Sequence, residues 1–536
     1  MIKNIDMKKI INISLAIAGF LLILSSCTKD LNTIPIDEDV VTSKVVFDNP
    51  DAYKQVLAKL YAGLAVTGQE GPAGNPDISG IDEGFSQYLR GYFYHQEFTT
   101  DEAVIGWNDQ TIKDFHYQTW GASDVFIQAM YYRLFYQIVA CNEYIRETTD
   151  EKLDERGVSG DLRTDIEYFR AEARFLRALS YWHALDLFGS VPFVTEEDLI
   201  GAFFPEQISK ADLFDYIESE LLSIDDLLLD ARANEYGRAD KGAAWMLLAK
   251  LYMNAEVYIG MNKYTECISY CNKLTEAGYS LEDNYDHLFL ADNSNLAEVI
   301  FSINFDGAFT KTYGGTTFII HAATGGDMPP EDVGIDGGWG GIRTTKAFVN
   351  KFDDISGETD TRANFYTENQ ELEINDIGLF TDGYAMQKFS NLRSDGNNAS
   401  DLEFTDTDFP MFRLADVYLM YAEAVLRNGA GGNAGTALEY VNDLRERAYG
   451  DDSGNISAGQ LTLEFILDER ARELYWECHR RTDLIRYGLF TGGDYLWPWK
   501  GNSFDGTSTD SKYNLFPIPD ADLGANPNLI QNPDYL

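Results

Sequence analysis

Three aromatic residues stand in settings where aromatics are seldom placed. Trp107 lies in DEAVIGWNDQ beside Asn108, Asp109 and Gln110. Tyr313 precedes two glycines in KTYGGTTF, and Trp339 sits among Gly337, Gly338, Gly340 and Gly341 in DGGWGGIR. None belongs to the apolar period that normally buries a core aromatic. A flat ring in a polar loop can cover the apolar C–H face of a sugar. Neighbouring Asn, Asp, Gln and Arg side chains then bond the hydroxyl rim. Glycine lets the backbone come close and leaves the ring uncovered. For one such residue, packing of the loop on itself explains the placement as well. Three of them, in separate acidic and glycine-rich loops, favour a ligand platform.

Other chemistry leaves weaker traces. The six histidines form no HExxH and do not flank a zinc-like cysteine set. There is no P-loop, no dinucleotide fingerprint and no GxSxG elbow. With 87 acidic residues, a glycosidase pair of carboxylates stays open. His479, in WECHRRTDL, reads as ion-pair packing. Asp292 and Asn295, in DNSN, are the metal candidates: their oxygens suit calcium, but the EF-hand pattern is missing. No other cofactor is implied. Cys267 and Cys271 lie one helical turn apart, a spacing that rarely suits a disulfide; with Cys141 and Cys478 they read as small core residues.

Charge narrows the ligand further. A net charge of −45 argues against nucleic acid, anionic substrates and an anionic lipid surface, whereas a neutral ligand meets no such penalty. The N-terminus reads as a targeting signal over residues 1–26: Lys3, Lys8 and Lys9, then the apolar run IINISLAIAGFLLIL. LSSC follows and resembles a bacterial lipobox with Cys27 as the acylated residue. Residues 27–50 read as a polar tether. No later segment is long and apolar enough to span a membrane.

The rings must be held by something, and the rest of the chain alternates helical segments with long turn-rich stretches. DIEYFRAEARFLRALSYWHALDLFG carries a wide 3.6-residue apolar period and is stopped by Gly189 and Pro192. SKADLFDYIESELLSIDDLLL opens on Ser209 as an N-cap. Segments 238–258 and 413–429 each pair with a following helix, with small residues and Tyr on the packing face. These pairs resemble tetratricopeptide units without their strict period. LEFILDERARELYWECHRRTDLIRYG reads as a last long helix with a break near Cys478. The predicted scaffold covers about 51–66, 124–280 and 413–488. The loop-rich regions are 67–123, 281–412 and 489–536, with strand-like pieces EVIFSINF and TTFIIHA.

Together these segments resemble the SusD/RagB family of outer-membrane lipoproteins. The lipobox followed by CTKDLNTIPID is similar to that family's mature start. RAEARFLRALSYWHALDLFGSVPFV, FRLADVYLMYAEAVLR, ILDERARELYWECHRRTDLIRYG and LFPIPDADLGANPNLIQNPDY match its helices and ending. Within the family, TDEAVIGWNDQ, TYGGTTF, FTDGYAMQKFSNLRSDG and YLWPWKGNSFDGTS are most similar to the starch-binding branch. The resemblance implies a mainly α fold, a right-handed scaffold of four tetratricopeptide-like helix pairs with long irregular loops. It implies no enzyme activity. It implies an α-glucan ligand on an arc of Trp107, Tyr313 and Trp339, with Arg90 at a polar rim contact. The branch's amide position falls on Gln110 here, with Asn108 and Asp109 nearby. The implied partner is a SusC-type TonB-dependent transporter in the outer membrane. Another polysaccharide or a peptide cargo, a protein-binding adaptor and a secreted glycosidase are the competing readings.

Overall fold

The computed structural model describes residues 43–535, apart from 69–70, 73–75, 110, 199–200 and 202. The signal segment, Cys27, most of the tether and Gln110 lie outside the described residues. The chain divides into two units, Met1–Ala52 and Tyr53–Leu536. The described part of the first holds the short helix Ser43–Phe47.

The second unit is mostly helical. Its longest helix, Asp161–Phe188, is buried almost all round from Ile166 onward, because it packs on one side against Val125–Glu147 and on another against Lys210–Ile224. It ends where Gly189 takes φ 74°, a conformation that favours glycine, three residues before Pro192. Ser209 caps the next helix, its hydroxyl accepting the Asp212 amide at 3.1 Å, as its place in the sequence predicts. Lys241–Met253 packs on Tyr264–Glu276, and Leu414–Leu426 on Ala434–Tyr449. Tyr264–Glu276 also meets Leu414–Leu426, so the pairs stack in sequence. Small residues at these faces, Ala249 and Ala422 among them, are fully buried and let the helices approach.

The last predicted helix is two: Leu463–Leu474 and Arg480–Arg486. Between them Trp476 and Cys478 take φ 61° and 66°. The break has partners. The Cys478 amide donates to Glu97 at 2.6 Å and the Trp476 amide to Glu102 at 3.2 Å. The charged run around it faces inward. Arg413 bonds Glu298, Glu473 and Glu477 at 2.8, 2.7 and 2.6 Å; Arg362 bonds Glu469 at 2.8 Å and Glu473 at 3.1 Å; all are buried. His479 lies beside a second buried pair, Lys250 with Asp416, 3.1 Å from the Lys250 ammonium; burial and that positive charge hold its imidazole down to about 3 and therefore neutral. The sequence suggested ion-pair packing; the side chain is packed among charged groups, as a neutral ring rather than as an ion-pair partner.

Among the described residues, four two-stranded antiparallel sheets fasten the loops: Val104–Ile105 with Ile342–Arg343, Val191–Pro192 with Gln207–Ile208, Val299–Ile303 with Phe409–Arg413, and Phe365–Tyr366 with Ala385–Met386. EVIFSINF is therefore a strand, as expected. TTFIIHA is not: it belongs to the helix Gly315–Ala323. Its β-branched residues suggest a strand, but tertiary contacts override that preference. The buried side-chain oxygen of Gln87 accepts the Gly315 amide at 2.9 Å and fixes the helix start.

Candidate functional site

The rings come together through main-chain pins. Strand Val104–Ile105 leads into Trp107, and its partner Ile342–Arg343 begins three residues after Trp339. The Gly106 amide donates to the Gly341 carbonyl at 2.9 Å, closing the pair. The Trp339 loop is also bonded to the end of helix Gly315–Ala323. The amides of Trp339, Gly340 and Gly341 donate to the carbonyls of His321, Thr324 and Ala322 at 2.7, 2.8 and 2.8 Å. Tyr313 stands two residues before that helix. Gln87 ties the ensemble to the scaffold: its amide nitrogen donates to Leu64 at 2.7 Å, and its oxygen accepts the Arg90 and Gly315 amides.

The result is one cluster. Trp107 and Trp339 have ring centroids 6.4 Å apart, and Trp339 and Tyr313 6.2 Å apart. All three are partly exposed. The Trp107 indole N–H donates to the Trp339 carbonyl at 3.3 Å. Arg90 lies behind the rings, its guanidinium 5.9 Å from the Trp107 centroid and 4.4 Å from that of Phe318. It donates to the Tyr313 carbonyl at 2.8 Å and to the Tyr94 hydroxyl at 2.6 Å. So Arg90 is first a brace between two of the platform loops. The Tyr313 hydroxyl donates to Glu403 at 2.9 Å, and that bond, before burial, pushes the phenol's pKa up.

Asn108 and Asp109 are exposed beside Trp107, and Lys113 donates to the Asn108 side chain at 2.7 Å. Gln110 lies outside the described residues. Asp292 and Asn295 are used differently: the Asp292 carboxylate accepts the Ser394 amide and hydroxyl at 2.8 and 2.7 Å, and Asn295 turns the chain at φ 62°. Among the described residues, no group of three or more His, Cys, Asp or Glu side chains is placed to hold a metal.

His321 escapes sequence reasoning. Its ring stacks on Trp339 at 4.8 Å and 25°, and its Nδ1 donates to the Gly337 carbonyl at 2.6 Å. Burial lowers its pKa and keeps the imidazole neutral. One face of the indole is therefore occupied by the protein. The only sequence signal was its place in TTFIIHA, which a strand reading hides. The glycines also gain a reason. A Cβ on Gly338 would meet the Thr324 carbonyl oxygen at 2.3 Å, and one on Gly341 would meet the Trp107 ring at 2.7 Å, whereas Gly337 has open space around it.

Partly exposed rings flanked by amide and carboxylate groups suit a neutral polyol: apolar faces for stacking and donors and acceptors at the edge. Comparison with known proteins points the same way. A family model described as the SusD family matches residues 373–535. The starch-binding protein SusD of Bacteroides thetaiotaomicron is 36% identical, covering 96% of this chain and 96% of that protein. SusD-like protein P25 of Formosa agariphila is 30% identical over 70% of this chain and 73% of its own length. Among solved structures, surface glycan-binding protein A from Bacteroides fluxus superposes with a TM-score of 0.70 at 20% identity, covering 91% of this chain and 100% of that one. Surface glycan-binding protein A from Bacteroides thetaiotaomicron, in complex with laminarihexaose, gives 0.67 at 20% identity over 90% and 99%.

Proposed function

The chain belongs to the SusD family, and from that premise we propose that it binds α-glucan without cleaving it. Acylated Cys27 anchors it at the outer membrane, and it passes the oligosaccharide to a SusC-type TonB-dependent transporter. The observation that carries this reading is the single cluster of Trp107, Trp339 and Tyr313, with neighbouring centroids 6.4 and 6.2 Å apart and Arg90 bracing two of their loops. Starch as cargo is supported by the 36% identity to a starch-binding protein along nearly the whole chain. A second reading, a different neutral glucan on the same rings, is favoured by the laminarihexaose held by one solved relative.

Calorimetric titration of maltoheptaose and laminarihexaose into the protein separates the two. Trp107→Ala, Tyr313→Ala and Trp339→Ala each remove one stacking face, worth about 1–2 kcal/mol, so affinity should fall roughly five- to thirtyfold. The triple variant should show no binding. Normal binding by all three single variants would refute the site. New reducing ends released by the purified protein, and lost on changing one carboxylate, would refute the non-catalytic role.

A further inference from the structure

A second set of rings lies away from the cluster of Trp107, Tyr313 and Trp339, on the turn 497–507. Trp499 takes φ 71° and ψ −5°. That left-handed conformation favours glycine, and a residue as bulky as tryptophan keeps it only where its surroundings over-determine it. Here they do. The buried His116 ring donates from Nε2 to the Pro498 carbonyl at 3.0 Å. The Trp499 amide donates to the Phe504 carbonyl at 3.3 Å, and the Asn502 amide to the Trp499 carbonyl at 3.0 Å. The Gly506 amide donates to the Ser503 carbonyl at 2.9 Å, and a Cβ on Gly506 would meet the Trp497 carbonyl oxygen at 2.3 Å. The Trp499 indole N–H donates to the Ile374 carbonyl at 2.8 Å. The ring is thus aimed by its backbone and pinned by its polar group.

Its neighbours complete a surface. Trp499 lies 6.2 Å from Tyr117 and 5.9 Å from Phe504, centroid to centroid. Trp499 and Tyr117 pack on the buried residues Val104, Ile374 and Ile377 yet stay partly exposed, and Phe504 is 41% exposed. Asp376 and Asp114 lie close enough to Tyr117 to add to the rise that burial gives its phenol's pKa, so carboxylate acceptors stand at the edge of the rings. Covering three core residues needs neither a strained tryptophan nor a phenylalanine in water. Partly exposed rings with acceptors at their edge suit a neutral sugar instead. The helix Ile112–Tyr117 lies between the two sets in sequence: Trp107 comes five residues before its start, and Tyr117 is its last residue. Among the described residues no ring contact joins the two sets.

We propose that Tyr117, Trp499 and Phe504 form a second glycan platform, separate from the first, which takes a further stretch of a polymeric glucan. The proposal rests on the reading given under Proposed function. Alone, this platform holds a short oligosaccharide too weakly to register in a titration. On a polymer the first site supplies a high effective concentration, and the second adds avidity. The test sets native electrophoresis in gels carrying soluble amylopectin or laminarin beside calorimetric titration of maltoheptaose or laminarihexaose. Phe504→Ala and Trp499→Ala should bind the oligosaccharide as the wild type does, while their affinity for the polymer falls about tenfold. Phe504 is the exposed member, so its variant reports even where loss of the indole costs stability. Polymer retention by Phe504→Ala equal to that of the wild type overturns the second platform alone, and so does an equal fall for oligosaccharide and polymer. A wild type that neither polymer retards overturns the reading beneath it and this proposal with it.

Discussion

Gly337 and Gly341 sit four residues apart in one loop, yet the surroundings give them opposite tolerances. Gly341 lies against the Trp107 indole, so the methyl of Gly341→Ala has to displace the ring from a distance of 2.7 Å; Gly337 has nothing within 4 Å. Glycan affinity should therefore fall in Gly341→Ala about as far as in Trp107→Ala and stay unchanged in Gly337→Ala, with titration as the readout. Equal affinities for the two glycine variants would show that the indole is not held by the backbone beneath it. At this scale the sequence is partly legible. Aromatics in polar glycine loops announce themselves by composition. His321 and Gln87 do not, because a neutral imidazole under an indole and an amide shared by three helix ends have no local pattern.

At the scale of elements, the helix Leu463–Leu474 is held by charge as much as by apolar packing. Glu473 touches Arg413 at 2.7 Å, Arg362 at 3.1 Å and also Arg447, all inside the fold. Replacing a buried pair by apolar residues can be neutral, but removing one partner strands the others, at a cost of about 3–5 kcal/mol. Glu473→Ala should lose stability of that order in urea unfolding while the folded fraction keeps its glycan affinity, since the network is separate from the rings. A loss below about 1 kcal/mol would mean the arginines find other partners. Helices such as Asp161–Phe188 are legible because period, capping residue and terminating glycine agree. The break near Cys478 is legible in place, but TTFIIHA as a helix is not, and neither are the partners of the break, because the decisive bonds come from Gln87, Glu97 and Glu102, hundreds of residues away in sequence.

For the whole molecule, burial has sorted the titratable groups. It holds His95, His183 and His479 down to about 3 and His116 to about 4, and pushes Glu97 and Glu102 up. The imidazoles are depressed in the fold, so their contribution is present above the unfolded value of about 6.5 and is lost as pH falls toward the folded values. The raised carboxyls, Glu97 and Glu102 with Asp124, Asp240 and Asp408 at about 6, act oppositely: their contribution is present below the unfolded value of about 4 and is lost as pH rises through the folded ones. Between about 4.5 and 6.5 the two sets offset one another. Below about 4 the raised carboxyls are protonated in both states, whereas Asp101, Glu469 and Asp483, whose burial is overcome by the arginines facing them, sit at about 2 and lose their contribution as pH falls. Stability should therefore drop on acidification below about pH 4. Melting curves from about pH 6 to 3 check this, and a melting temperature that holds or rises between about pH 4 and 3 would contradict it. The inward-facing arginines have a different consequence. Those of the two closing helices, Arg470, Arg472, Arg480, Arg481 and Arg486, are each engaged by a carboxylate. Proteases that cut after basic residues need such side chains free on an extended strand. This stretch becomes cleavable only when the fold opens, so where reclosing outpaces cutting, the rate of digestion there measures the equilibrium between closed and open protein.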